Sequence, residues 1–349
     1  MNTYKRATIK GVAKAAGVST QTVSRVINDR PDVSPETRLR VQQVIEELNY
    51  QPSALARSLI QQRSYTLGVV TSGLKFIGPS RTLNGITNQA EQLGYSLLLE
   101  ELLFNTADLK PRLQNLLARH VDGIIWAVPE VGDNRKRVDE IRNDIQVPVV
   151  FLTMQPLPDV ITVSIDNYAG GVLVTEHLLD QGCRHIGHIS GPLDWWEARQ
   201  RKQAWQDTLQ KAGIRVSENQ CTEGNWSSSS GEPAFTELLK SYPEMDAVFV
   251  GNDQMALSVL QICHRLGLRV PEDLAVAGFD NMAESAYFWP SLTTINHNQH
   301  ELGCRAVEET VKQIEASRLN NQALSSETLE SRNILLSPEL IIRRSSKIH

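Results

Sequence analysis

The sequence is poor in cysteine, and its cysteines lie far apart. They are Cys183, Cys221, Cys263 and Cys304, and no C-x-x-C pair occurs. A disulfide framework or a zinc site built on cysteine pairs therefore has no support. We expect free thiols, as is usual in a reducing cytoplasm.

Long apolar runs are missing as well. No run reaches about 18 apolar residues, the length from which a membrane-spanning helix is inferred. The N-terminal stretch MNTYKRATIKGVAKAAG is basic, but it has neither the apolar segment nor the cleavage site of a secretory signal. These absences predict a cytoplasmic protein.

Motifs of catalysis and of cofactor binding are also absent. The sequence contains no G-x-S-x-G, no G-x-x-x-x-G-K-[ST] and no G-x-G-x-x-G. His185 and His188 fall on a strand-like run, where positions i and i+3 point to opposite faces, so they make a poor metal site. His297 and His300 have the same spacing. We therefore expect no enzyme, no metal and no cofactor.

The charge is divided unevenly along the chain. Residues 1–63 carry ten Lys and Arg against five Asp and Glu, a net charge of +5. Because the whole chain has a formal charge of −5, the remainder carries −10. A basic head on an acidic body favours a head that binds a polyanion, although a charged surface can also be merely solvated.

Residues 1–51 have the start and stop signals of three short helices. Thr8 and Ser19 are candidate N-caps of the first two helices, and Gly17 can end the first. Ser34-Pro35 starts the third, and Pro52 lies just beyond its end. The apolar positions of the third helix are Leu39, Val41, Val44, Ile45 and Leu48. Residues 53–64 then form a linker or a helix that is stable only under some conditions.

The stretch GVSTQTVSRVIN contains a turn and the second helix. Val23, Val26 and Ile27 share one face and are predicted to pack inward. The other face carries Thr20, Gln21, Ser24, Arg25 and Asn28. Gln can bond the edge of adenine, Arg the edge of guanine, and Ser and Thr suit phosphates or bases. A helix–turn–helix that reads DNA fits this face, and an amphipathic helix with a solvated polar face has the same pattern.

From residue 65 onward, apolar runs alternate with helical stretches. The predicted strands are TLGVV (66–70), SLLLE (96–100), GIIWAV (123–128), PVVFL (148–152), HIGHIS (185–190), AVFVG (247–251) and DLAVAGF (273–279). The predicted helices include NGITNQAEQLGY (84–95), VLVTEHLLDQG (172–182), ARQRKQAWQDTLQKAG (198–213) and QMALSVLQICHRLG (254–267). This alternation predicts two α/β units with parallel sheets and a ligand at the carboxyl ends of the strands.

Two segments of the N-terminal part resemble a known protein family. The segments VAKAAGVSTQTVSRVIN and VSPETRLRVQQVIEELNYQPSALARSL resemble the N-terminal domain of the LacI family of transcription regulators. The resemblance is dense over residues 8–63 and continues to about residue 343. GNWSSSSG, NDQMAL, GLRV and LTTI are close to the lactose-responsive members. Gly11 departs from the family, which usually has Asp there, and glycine weakens a helix.

The resemblance implies roles for residues of the head. Residues 1–51 would be the helix–turn–helix domain, with Thr20, Gln21 and Arg25 reading the major groove. The side chains that mainly position the DNA backbone would be Ser19, Thr22, Ser24, Asn28, Ser34, Thr37 and Tyr50, and Ile9 would also belong to the DNA-binding surface. Residues 52–64 would be a hinge helix that contributes Ser53, Ala56 and Leu59. Leu59 would be the apolar wedge in a minor-groove step, with Ala56 beside it.

The resemblance also implies a core with two lobes, residues 65–343, like that of the periplasmic sugar-binding proteins. The first lobe would be about 65–165 and 299–325, and the second about 166–295 and 326–343. The implied effector site consists of Ser72, Phe76, Pro79, Thr153, Arg201, Trp226, Asn252 and Asp280. Trp195, Trp196 and Trp289 lie near turn signals and could line the cleft, whereas Trp205 is expected in the core.

Three positions of the implied site depart from the lactose-responsive members. Thr153 and Glu197 replace an aspartate and a serine, and Gln299 replaces an aromatic residue. These differences change the expected sugar more than the expected class of ligand. A galactoside or a similar disaccharide is the first expectation, bound non-covalently.

Three functions are therefore considered. The first is a dimeric, cytoplasmic, nucleoid-associated repressor of a bacterial carbohydrate operon, which binds an inverted-repeat operator and is released by a small sugar. The second is a regulator activated by a co-repressor such as a purine or a phosphorylated metabolite. The third is a solute-binding protein of a transporter, against which the basic head and the missing signal sequence argue. The end of the chain, IIRRSSKIH, leaves no room for a tetramer-forming heptad helix, so a dimer is expected.

Overall fold

The computed structural model describes residues 7–51, 63–103, 109–132, 134–141, 145–322 and 332–346. The chain divides into two compact units, Met1–Tyr65 and Thr66–His349. The predicted hinge segment, residues 52–64, lies almost entirely outside the described residues. In the part of the chain that the structure does describe, no helix combines the length and apolar character needed to cross a bilayer.

The described part of the head consists of three helices. They are α1 (Ile9–Ala16), α2 (Thr20–Ile27) and α3 (Pro35–Glu47), which confirms the predicted elements. The predicted N-caps all accept a backbone hydrogen bond, and Gly17 ends α1 with a φ of 66°, a conformation that costs glycine little.

The core of the head is small. Val12, Val23 and Val41, one from each helix, are fully buried and pack together. Leu39 and Leu48 follow the helical spacing of α3 but are 68% and 41% exposed, so they do not join this core. Few side chains thus hold the three helices, and the polar face of α2 remains at the surface.

The first lobe of the larger unit is built on a parallel sheet. Its described strands are β1 (Thr66–Ser72), β2 (Ser96–Leu102), β3 (Gly123–Ala127), β4 (Val149–Leu152), β5 (Ile161–Ile165) and β11 (Arg332–Leu336). Their order is β11-β5-β4-β3-β1-β2, and every neighbouring pair is parallel. Its described helices are α4 (Ile77–Gln92), α5 (Lys110–Ala118), α6 (Asn134–Ile141) and α11 (Gln299–Gln322).

Strand β11 requires a correction to the expected lobes. The whole of 326–343 was expected in the second lobe, but Arg332–Leu336 pairs with β5 in the sheet of the first lobe. The chain then returns to the second lobe, where β12 (Glu339–Ile341) pairs with β10 (Thr294–Asn296). The division failed because both strands of the C-terminal segment are short, and neither RNILL nor ELI has a pattern that assigns it to one sheet.

The second lobe has its own parallel sheet. The strands are β6 (Ile186–Ser190), β7 (Cys221–Glu223), β8 (Ala247–Val250) and β9 (Ala275–Ala277), in the order β7-β6-β8-β9. The helices are α7 (Asn167–Asp180), α8 (Trp196–Lys211), α9 (Ser228–Ser241) and α10 (Asp253–Leu266). Short 3-10 turns occupy Glu218–Gln220 and Ala283–Tyr287. The central strands of both sheets are buried, and the residues that follow the strands line a cleft between the lobes.

Candidate functional site

Helix α2 exposes the polar face that the sequence predicts. Val23 and Val26 are buried, while Thr20, Gln21 and Arg25 are exposed. Arg25 lies 3.4 Å from Asp32, and both side chains are about half exposed, so water screens this pair strongly. The side chains of α2 that are free to meet a groove are thus those expected to read bases.

Other residues assigned to DNA contact also hold the fold of the head. The hydroxyl of Ser19 accepts a hydrogen bond from the Thr22 amide at 3.0 Å. Ser34 caps α3 in the same way through Thr37. The amide of Asn28 donates to the carbonyl of Ser24 at 2.8 Å. The remaining assigned positions, Ile9 and Tyr50, are partly buried against the small core. Ser53, Ala56 and Leu59 lie outside the described residues.

The larger unit contains two adjoining cavities between its lobes, of about 450 and 500 Å³. Both are lined by Gly78, Pro79, Trp195, Glu197, Arg201 and Gln299. The first is completed by Phe76, Ile77, Trp226, Asn252, Gln254 and Asp280, and the second by residues that include Thr153, Asn167 and His297. Clefts lined by aromatic side chains and a few convergent polar groups are typical of sites for small organic ligands.

Arg201 is the central cation of this site. Its guanidinium donates to the Asn167 side chain at 2.9 Å and to the Gly251 carbonyl at 2.6 Å. It lies 3.6 Å from Asp280 and stacks over Phe279. Burial lowers the pKa of Arg201, and the neighbouring carboxylates oppose this effect. A buried arginine with this many partners is a positioned binding group and not a solvated charge on a helix.

Asp280 joins Arg201 to a histidine. The Asp280 carboxylate accepts a hydrogen bond from Nε2 of His297 at 2.9 Å. Burial lowers the pKa of His297, which favours a neutral ring whose Nδ1 can accept a hydrogen bond. Asp280 has a φ of 111°, rare for a residue with a side chain, and such strain is concentrated at functional sites.

Asn252 and Trp226 are held together. Asn252 caps α10 by accepting from the Met255 amide, and its own amide donates to the carbonyl of Trp226 at 2.9 Å. Trp226 has a φ of 72°. A Cβ at Gly191 would lie 2.1 Å from the Trp226 ring, so only glycine leaves room for the indole. The site thus fixes the aromatic ring through both its backbone and its neighbour.

An aromatic wall extends from this ring. Trp195 meets Trp226 edge-on at 5.9 Å, and Phe76 meets Trp195 edge-on at 5.6 Å. Phe76 comes from the first lobe, so the wall spans the cleft. A wall of this kind matches the C–H faces of a sugar ring or of another flat apolar ligand.

Of the other expected site residues, some line the cavities and some do not. Phe76, Pro79 and Thr153 line the cavities, and Thr153 has a φ of 57°. Ser72 is fully buried at the end of β1 and is not among the described lining residues. The prediction for Trp289 is wrong, since its ring is 83% exposed at the surface.

Two further tryptophans are buried, and only one of them agrees with the expectation. Trp196 is buried at the start of α8, outside the described lining. Trp205 is fully buried in the core of the second lobe, as expected.

Glu197 is a buried acid of the site. Its side chain lines both cavities and is 8% exposed, and its Oε2 has no partner among the described residues. Burial raises the pKa of Glu197 to about 7, and Glu130 raises it further while Arg201 and Arg199 lower it. The carboxyl is therefore close to the midpoint of its titration at neutral pH.

Two short segments join the lobes beside Glu197, and we call them the inter-lobe strap, residues 130–132 and 194–196. The Trp196 amide donates to the carbonyl of Glu130, and the Gly132 amide donates to that of Asp194, each at 3.0 Å. The Glu130 carboxylate lies 3.4 Å from Arg199 and 3.4 Å from Arg135. The strap therefore ties the first lobe to the first turn of α8.

Sequence reasoning missed the strap and Asn167. Asn167 follows β5, a strand absent from the predicted list, so its place beside Arg201 could not be inferred. Glu130 carries no motif, and only its position at the end of β3 indicates a role.

The chain matches two family models. Residues 8–53 match the model described as bacterial regulatory proteins, lacI family, and residues 175–346 match a periplasmic binding protein-like domain. The predicted fold class, a helix–turn–helix head with a two-lobed α/β core, is confirmed by these matches.

Known proteins resemble almost the whole chain. It is 34% identical over 342 residues to the HTH-type transcriptional repressor PurR of Mannheimia succiniciproducens, covering 98% of this chain and 99% of the relative. It is 33% identical over 319 residues to the ribose operon repressor of Escherichia coli K12, covering 91% and 96%. A solved lac repressor dimer, bound to operator and the anti-inducer ONPF, matches with a TM-score of 0.86 at 31% identity, covering 98% and 99%.

Proposed function

The chain belongs to the LacI family of bacterial regulatory proteins and is a DNA-binding transcriptional repressor; from this premise we propose that a small sugar releases it from its operator. The regulated genes would serve the use of that sugar. We further propose that the sugar binds non-covalently without a cofactor, and that the protein works in the cytoplasm on the nucleoid.

The head would read an inverted repeat as part of a homodimer, because a two-fold dimer presents two equivalent recognition helices. The exposure of Thr20, Gln21 and Arg25 supports their assignment to base edges. Ser19 and Ser34 cap helices, so their hydroxyls would act on DNA mainly through the position of those helices. Leu59 would wedge a minor-groove step, an assignment that rests on the sequence resemblance.

The observation that carries the effector proposal is the convergence of Arg201, Asn252 and Asp280 beside the aromatic wall. Sugars need paired polar groups for their hydroxyls and a flat apolar surface for their C–H patches. Both are present within one cleft, and the polar groups are already held in place by bonds to other protein groups. Such preorganisation reduces the entropy lost on binding.

The two lobes provide the switch. The strap and the bond from Arg81 to the Asp280 carbonyl, at 3.1 Å, both cross the cleft. A ligand that changes these contacts would change the relative position of the lobes and hence operator affinity. Because linkage is reciprocal, sugar and operator would weaken each other's binding by the same factor. The corresponding coupling free energy is typically about 1–3 kcal/mol.

The experiment combines sugar binding with operator binding. An operator duplex is first selected by the protein from a random pool, and sugars that raise the melting temperature of the protein are identified. A gel-shift titration with each such sugar then measures operator affinity. Release by a bound sugar supports the proposal, whereas tighter operator binding would favour a co-repressor. Operator affinity unchanged by every bound sugar would refute the switch.

A further inference from the structure

Four buried polar atoms of the cleft have no hydrogen-bond partner among the described residues. They are Oε2 of Glu197, Oε1 of Gln299, Nδ1 of His297 and Nε1 of Trp226. The first two side chains line both cavities, and each of the others lines one. His297 binds Asp280 through Nε2, so its free Nδ1 is an acceptor. The set thus offers three acceptors and a single donor, which favours a ligand rich in hydrogen-bond donors.

The ion pairs of the cleft indicate which charge the ligand should carry. Asp280 lies 3.6 Å from Arg201, and Glu130 lies 3.4 Å from both Arg135 and Arg199. Among the described residues, the carboxyl of Glu197 has no ion pair of this kind. An ionised carboxylate that is buried without a salt bridge is costly, so this part of the cavity favours a ligand group that brings a positive charge.

We propose that the effector carries a protonated amine, as an amino sugar does, and that Glu197 is the residue that selects it. This inference rests on the proposed function, since it names the class of sugar that the cleft takes. A hydroxyl in place of the amine would leave the carboxylate uncompensated.

The charged groups around Glu197 determine how the affinity for an amino sugar is expected to change with pH. Arg201 and Arg199 lie on its own helix and favour its ionised form, while Glu130 from the first lobe opposes it. With a pKa of about 7, the ionised fraction grows roughly fivefold between pH 6 and pH 7. An amino sugar remains protonated in this range. The affinity of the protein for an amino sugar should therefore rise roughly in proportion to the ionised fraction of Glu197. Binding of the amino sugar should release protons near pH 7, because it favours the ionised carboxylate.

The test uses sugars that differ only in one amine: glucosamine and glucose, galactosamine and galactose, mannosamine and mannose. Calorimetry measures their affinity for the full-length parent, for Glu197→Gln, and for Glu176→Gln as a control. Glu176 is exposed on α7 of the same lobe. For at least one pair we expect the amine to bind the parent about tenfold more tightly, as a hydrogen bond to a charged group allows. This preference should vanish in Glu197→Gln and persist in Glu176→Gln.

The outcomes separate this inference from the proposed function. It is overturned if no amino sugar binds, if each neutral partner binds as tightly, or if Glu197→Gln keeps the preference. A neutral sugar that releases the operator would then still support the proposed function. Conversely, an amino sugar that binds through Glu197 without changing operator affinity would support the selectivity and refute the switch. Melting curves of both variants establish that they are folded.

Discussion

The stability of the ligand-free core of Glu197→Gln, relative to that of the parent, should increase as the pH rises. The pKa of Glu197 is raised by burial from its ordinary value of 4.5 to about 7, so the native state keeps a proton that the unfolded state releases. The free energy of unfolding is therefore unaffected well below pH 4.5, falls as the pH rises from about 4.5 through 7, and levels off above this range, where both states are ionised. At pH 8 the pKa difference of about 2.5 corresponds to about 3 kcal/mol.

The variant removes this penalty but adds a cost of its own. The new amide would bury an N–H that has no evident acceptor, at a cost of about 1 kcal/mol or more. That cost does not depend on pH, whereas the penalty of Glu197 is only about 1 kcal/mol at pH 5. The advantage of Glu197→Gln over the parent should therefore grow by about 2 kcal/mol between pH 5 and pH 8.

Urea unfolding of the core at the two pH values, followed by tryptophan fluorescence, measures this difference. Burial and the neighbouring Asp280 also raise the pKa of Asp253 to about 7, but Asp253 is present in both proteins and cancels in the comparison. Glu176→Gln should follow the parent at both pH values. If the curves for parent and Glu197→Gln shift by the same amount between pH 5 and pH 8, Glu197 does not titrate as the structure implies.

Three further substitutions test the rest of the site. Arg201→Met should reduce sugar affinity by about 100-fold, because it removes a buried charged donor, and calorimetry should show this while gel shifts show intact operator binding. Gly191→Ala should displace the Trp226 ring and weaken sugar binding by about tenfold or more; unchanged affinity would mean that the ring does not contact the sugar. Gln21→Ala should remove about 1–3 kcal/mol of discrimination between bases at one position of each half-site. An unchanged base preference at every position in a binding selection would exclude Gln21 from base reading.

The helices of the head were predictable because local chemistry sets their ends. Thr8, Ser19 and Ser34 bond the first free amides of their helices, and these contacts follow from nearest neighbours in sequence. The apolar positions of α3 were less informative. Leu39 fits the period of the helix, but a unit this small has no second layer to cover it.

The larger unit shows where sequence reasoning ends. Long apolar runs such as GIIWAV identified most central strands, since both faces of a parallel sheet are buried. Strand β11 contains Arg332 and Asn333 and could not be assigned to a lobe from its pattern. Its partner is more than 160 residues away along the chain, and only the packed fold decides which sheet it joins.

The candidate site was predictable in class but not in detail. Arg201, Asn252 and Asp280 were identified by resemblance, and the structure brings them to one cavity. The sequence showed Glu197 only as a replacement of serine, because its significance depends on its burial and on an Oε2 atom that has no partner among the described residues. Trp289 was misplaced because a turn signal does not distinguish a loop that faces the cleft from one that faces water.

The first turn of α8 has an evolutionary consequence. Glu197 faces the ligand cavity, while the preceding residue, Trp196, fastens this turn to Glu130 of the other lobe. Under the proposed function, recognition of the ligand and transmission to the other lobe share one turn of helix. A substitution that adapts the repressor to a new nutrient would also alter how firmly the genes are silenced when no nutrient is present. Substitutions that change the effector should consequently also change basal expression of the regulated genes. We expect them to be accompanied by compensating substitutions in the strap.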